Sequence, residues 1–224
     1  MFRFLALDHP VGQFLCRILD LFILSLLWVL FSVTIVGFGP ATTAVYYSVV
    51  KSVRKERDSA ARCFFHSLRE NWKPSLIAGL IFAALGASVL VIDLPTLLLP
   101  FTSESASIGV WTILAGVKLI ILEALMMYTF PILSRFAISL PGAFIRAMSF
   151  LFRRPVRSIA LSVLLLIFIW ICLRFPPMIV ILPGSFALLS SFFMESLLTE
   201  MLPADFQAAH SDDDLWYLDQ QSNP

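Results

Sequence analysis

From residue 18 to residue 198 the chain is dominated by long apolar runs that a water-soluble fold of this size could not cover. A helix needs roughly 20 consecutive, mostly apolar residues to cross a bilayer. Residues 18–36, 74–94, 109–136, 156–173 and 178–198 reach or approach that length. Of the 224 residues, 59% are hydrophobic and 14% charged. Soluble domains average roughly 45–50% and about 25%. Both departures point to a lipid-covered, all-α protein: a polytopic transmembrane helix bundle.

The charges sharpen this reading. Lys51, Arg54, Lys55, Arg57, Arg62, Arg69 and Lys73 form one basic stretch, and Arg135, Arg146, Arg153, Arg154 and Arg157 form another. Both flank apolar runs, the pattern that the positive-inside bias produces, so they mark cytoplasmic loops and not a nucleic-acid surface. Residues 95–108 contain no Lys or Arg and read as an outer loop. Seven of the 15 acidic residues lie from Glu195 onward. Residues 1–201 are thus expected to form the membrane domain, and residues 202–224 an acidic, loosely ordered cytoplasmic tail. The apolar run at 18–38 is too long for a signal-peptide core and reads as a retained first span.

Between the spans lie two segments of another kind. In residues 59–72, Ala61, Phe64, Phe65, Leu68 and Trp72 recur at helical spacing, with Arg62, Arg69 and Glu70 away from that stripe. In residues 140–152, Phe144, Ala147, Met148 and Leu151 do the same beside Arg146 and Arg153. Each predicts an amphipathic helix on the cytoplasmic face. Residues 42–53, after the Gly37-Phe38-Gly39-Pro40 turn, predict a short helix. Counting it as a span gives six spans with both termini inside, whereas omitting it gives five with the N-terminus outside. Arg54, Lys73 and Pro74 recur 81 residues later as Arg135, Arg154 and Pro155, while the apolar stripes align at a spacing of 80. That pattern suggests a three-plus-three repeat, an arrangement that transporters use.

Residues 28–54 read WVLFSVTIVGFGPATTAVYYSVVKSVR, and residues 63–73 read CFFHSLRENWK. This pair resembles the YesL-like family of bacterial integral membrane proteins, a domain-of-unknown-function family. Gly39, Pro40 and Thr42, with Tyr46, carry the family's turn and its small-residue, Tyr-rich helix. Phe65, Leu68, Arg69, Asn71 and Trp72 carry its inner-side aromatic-basic element. Gly37 and Thr34 stand where the family usually has Thr and Pro, so no role is carried over to those two side chains. The resemblance covers the first hundred residues and implies a protein of the bacterial cytoplasmic membrane. Genes of this family often lie beside carbohydrate-uptake genes, which implies a link to sugar transport.

Chemistry-bearing residues are sparse. His9, His66 and His210, like Cys16, Cys63 and Cys172, are scattered singly, without metal-ligand or disulfide spacing. No enzyme motif and no cofactor are expected. Lys118 and Glu123 stand out because both fall inside one apolar span, where a charge costs at least ~2.5–3.5 kcal/mol. Five residues apart, they project about 140° from each other and need separate partners. Glu195 and Asp20, near inner span ends, are the expected candidates. Two readings stay open for Lys118 and Glu123: a polar lining for an ion or substrate path, or a structural device that fixes helix packing.

The expected function is a non-enzymatic accessory or permease-like component of carbohydrate uptake. Arg69, Asn71, Trp72, Arg146, Arg153 and Arg154 would dock a sugar-transporter subunit or anionic lipid. The alternative is a small stand-alone transporter or channel acting as a homo-oligomer.

Overall fold

The computed structural model describes residues 10–54, 58–93, 106–136 and 138–199. The acidic tail and most of the loop after residue 94 lie outside them. Every described element is helical, with eight α-helices and no strand among the described residues. They are α1 (Pro10–Ser32), α2 (Phe38–Ser48), α3 (Ala60–Glu70), α4 (Trp72–Ser88), α5 (Ala106–Arg135), α6 (Leu140–Arg153), α7 (Pro155–Arg174) and α8 (Leu182–Thr199). Short π segments extend α2 to Arg54 and α4 to Asp93, and 3-10 turns lead into α2 and α8.

Three helical stretches are long and apolar enough to cross a bilayer: Phe14–Ser32, Ile113–Arg135 and Pro155–Arg174. Trp72–Ser88 and Leu182–Leu198 are apolar but shorter. Large apolar side chains point outward along these helices, among them Leu30, Ile113, Trp170 and Leu173, the last 78% exposed. An apolar exterior of that extent suits a lipid environment.

The second apolar segment takes a different place from a lipid-facing span. From Gly39 to Ser48 every residue of α2 except Thr42 is buried. The helix sits at the centre, packed against α1, α3, α4, α5 and α8. Its composition fits that position, because small residues let neighbours approach closely where lipid offers no hydrophobic drive between helices. A Cβ placed on Gly39 would stand 2.1 Å from the Ser75 carbonyl oxygen and 2.8 Å from Gly79 Cα. Only glycine permits this contact of α2 with α4. Thr43 Oγ1 completes it by donating to Ser75 Oγ (2.9 Å) or to the Gly39 carbonyl (3.1 Å).

Several boundaries differ from expectation. The turn lies at residues 33–37, and Phe38, Gly39 and Pro40 open α2. Pro40 is tolerated there because the first helical N–H groups have no intrahelical partner. Residues 106–108, expected in the outer loop, begin α5. Residues 178–180, expected in the last span, form a 3-10 turn after Pro176 and Pro177. Both amphipathic helices form, with faces slightly rotated. In α3 the buried residues are Ala60, Cys63, Phe64, Ser67 and Leu68, while Phe65 and Trp72 stay substantially exposed. In α6 they are Ala143, Ala147 and Phe150, and Met148 is exposed.

Candidate functional site

The C-terminal ends of α2, α5 and α8 meet at one end of the bundle. Arg135, the last residue of α5, is 4% exposed, and its guanidinium donates to Glu195 Oε2 at 2.5 Å. The Tyr46 hydroxyl of α2 donates to Glu195 Oε1 at 3.0 Å. Each carboxylate oxygen therefore receives a donor from a different helix. A buried ion survives only when paired and hydrogen-bonded, and this arrangement meets both conditions for Glu195.

Two further arginines reach α8 at the same end. Arg54 donates to the Ser191 carbonyl (3.1 Å) and lies over the Phe192 ring, 4.8 Å from its centroid. Arg157, at the start of α7, donates to Ser196 Oγ at 2.8 Å. Lys51 donates to the Tyr47 hydroxyl at 3.1 Å. The chemistry is that of a lock: cations from α2, α5 and α7 hold one face of α8.

Lys118 and Glu123 have other surroundings. Lys118 is exposed on α5 and donates to Ser88 Oγ of α4 at 3.3 Å. Glu123 is half-buried, and its Oε1 has no hydrogen-bond partner among the described residues. The carboxylates expected to serve them are engaged elsewhere, Glu195 by Arg135 and Tyr46 and Asp20 by the Ser52 hydroxyl.

The family-motif residues are structural contacts. Gly39 and Pro40 are buried against neighbouring helices. Thr42 Oγ1 donates to the Phe38 carbonyl (2.7 Å) and accepts from the Trp28 indole N–H (3.1 Å). Of the expected docking residues, Arg69, Trp72, Arg146, Arg153 and Arg154 are exposed. Asn71 is buried, 6% exposed, in the turn between α3 and α4. Among the described residues, no three His, Cys, Asp or Glu side chains gather into a metal site.

A cavity of about 350 Å³ opens between α7, α8 and the α1–α2–α5 side of the bundle. Its walls are mainly apolar, with Phe130, Phe168 and Phe186 prominent, and Trp28, Thr42, Tyr46 and Ser190 are its polar-bearing residues. The Tyr46 hydroxyl links this wall to the Glu195 network. Sequence reasoning missed both features. The sequence offers Glu195 as a candidate partner for Lys118 or Glu123, and nothing in spacing pairs it with Arg135, 60 positions away.

Fold and exterior define an all-helical protein whose apolar helices suit a bilayer. Residues 21–94, about a third of the chain and spanning most of α1 through α4, match the model of a family described as a protein of unknown function, DUF624. No curated protein and no solved structure matches the chain.

Proposed function

We propose that this chain is a YesL-like, non-enzymatic, multi-pass component of the bacterial cytoplasmic membrane that holds a carbohydrate-uptake partner at its inner face. In this reading the bundle has six spans, counting central α2, with both termini inside and the 3+3 repeat as its plan. One observation carries it. Arg54, Arg135 and Arg157 converge on the C-terminal half of α8, and Lys51, Arg62, Arg69, Lys73, Arg146, Arg153 and Arg154 lie on α3 and α6 or on helix ends next to them in the chain. Such clustering is the signature of a cytoplasmic face. The exposed arginines of α3 and α6 stand beside exposed apolar side chains, Phe65 and Trp72 on one side and Ile145 and Phe152 on the other. A basic-aromatic surface of this kind suits an acidic partner or anionic lipid. The repeat draws support from Arg54 and Arg135, its equivalent positions, which both bond α8, four residues apart.

The test is recovery of the intact protein from gently solubilised membranes, with mass spectrometry of what accompanies it. A sugar-transporter subunit should be recovered, and the combined Arg146→Glu, Arg153→Glu and Arg154→Glu variant should lose it while still inserting. Recovery of the chain with only itself would overturn this reading. The buried Oε1 of Glu123 favours a second one, a small carrier or channel acting as a homo-oligomer. On that reading Glu123→Gln abolishes flux in vesicles while the protein still inserts.

A further inference from the structure

We infer that the cavity beside α7 and α8 holds the hydrocarbon tail of a membrane phospholipid. The size is suitable, because about 350 Å³ lies at the lower end of the roughly 300–1,000 Å³ typical of small-molecule sites. The polarity argument is stronger. Apart from the weakly donating Cys172 thiol, four residues bring polar side chains to the lining, and the hydrogens of all four are committed within the protein. Trp28 donates to Thr42, Thr42 to the Phe38 carbonyl, Tyr46 to Glu195 and Ser190 to the Ala187 carbonyl. A buried water needs about three polar partners, and a sugar or ion needs more. A wall whose donors are already spent favours an occupant that asks for none.

The cavity is also continuous with the lipid-facing surface. Ile169, Leu173 and Ile179 line it and are themselves exposed, by 45%, 78% and 43%. A chain already in the bilayer can enter sideways between these side chains, with no polar group to desolvate. The tail would pack between α7 and the Tyr46 ring, close to the hydroxyl that holds Glu195. This inference rests on the membrane reading but on neither the docking partner nor carbohydrate uptake.

The experiment uses the full chain in vesicles of phosphatidylethanolamine and phosphatidylglycerol, doped with a phosphatidylcholine that carries a photoactivatable diazirine on its acyl chain. After irradiation, labelled residues are mapped by mass spectrometry. Phe168 and Phe186, which line the cavity, should label more heavily than Leu166 and Trp170, which are exposed on α7 outside it. Ala187→Phe places a ring in the cavity and should lower labelling of Phe168 and Phe186 by roughly tenfold, equivalent to about 1.4 kcal/mol. Labelling of Leu166 and Trp170 should not change. Leu165→Trp fills the same space from α7 and is read in the same way if Ala187→Phe does not insert. Equal labelling at all four positions would mean ordinary boundary lipid and overturn the inference. So would protection of Phe168 and Phe186 in a dimer that Ala187→Phe dissociates, because a second copy would then fill the space. A chain that fails to enter the vesicles leaves Leu166 and Trp170 unlabelled as well, which separates failure of the membrane reading from an unoccupied cavity.

Discussion

Helix α5 carries charge in two places, and the surrounding bundle treats them in opposite ways. At its end, Arg135 is buried and meets Glu195 of α8, which the Tyr46 hydroxyl of α2 also holds. Midway along, Glu123 keeps a carboxylate oxygen buried with no partner among the described residues, and Lys118 reaches Ser88 across a long 3.3 Å contact. Both regions place ions in apolar helices at considerable cost. Arg135 and Glu195 recover that cost through paired geometry, whereas the buried Oε1 of Glu123 has no such partner among the described residues. An intramembrane charge is therefore a question about its neighbours on other helices, and a residue's depth within its own apolar run does not answer it.

The sharpest way to break this comparison is to remove the cation from the paired region. Arg135→Leu leaves Glu195 buried without its counter-charge, and losing one member of a buried pair costs about 3–5 kcal/mol. Thermal unfolding in mild detergent should show this as the largest loss among the variants considered. Arg135→Leu combined with Glu195→Leu should recover most of the stability, because the stranded charge is gone. Their coupling in a double-mutant cycle should therefore lie at or above the upper end of the range of about 0.5–3 kcal/mol found for contacting residues. If the single variant unfolds like the parent, the two regions of α5 are not different in kind.

Next in size is Glu123, where the sign reverses. Glu123→Leu removes a buried oxygen without a partner and should raise stability by about 1 kcal/mol. A clear loss in the same unfolding assay would show that Glu123 is held after all. Tyr46→Phe then sharpens the paired side. It deletes one donor to Glu195 and leaves Arg135 in place. Hydrogen bonds between membrane helices average about 0.6 kcal/mol and reach about 1.7, so the loss should be smaller than for Arg135→Leu.

The two regions also show what the sequence disclosed and what it withheld. Helical class, apolar runs and the amphipathic helices follow from periodicity within one segment, and the expected helix at 140–152 forms as Leu140–Arg153. The buried place of α2 was half visible in Gly39, Ala41, Thr43 and Ala44, residues too small for a lipid-facing surface but suited to close contact. The turn ends at Gly37 and does not run on through Phe38-Gly39-Pro40, because Gly and Pro stop a helix when they follow it, whereas Pro40 occupies the first turn of the next one. The Arg135–Glu195 pair was not readable, because periodicity relates residues three and four apart and says nothing of a helix 60 positions away. One signal pointed towards it. Arg135 stands 81 residues after Arg54 in the sequence pattern that suggests a repeat, and both arginines reach α8, at Glu195 and Ser191.

The smallest expected effect belongs to Lys118, and it separates depth from burial most directly. Lys118 lies inside the same apolar run as Glu123, yet its side chain is exposed and its aliphatic stem can extend along the helix. Lys118→Met keeps the aliphatic stem and removes the charge along with the contact to Ser88. The change should stay within about 0.5 kcal/mol, the usual range for a surface substitution. Unfolding of Lys118→Met alongside Arg135→Leu measures that difference within one helix. If Lys118→Met costs as much as Arg135→Leu, depth in the apolar run governs stability and burial does not.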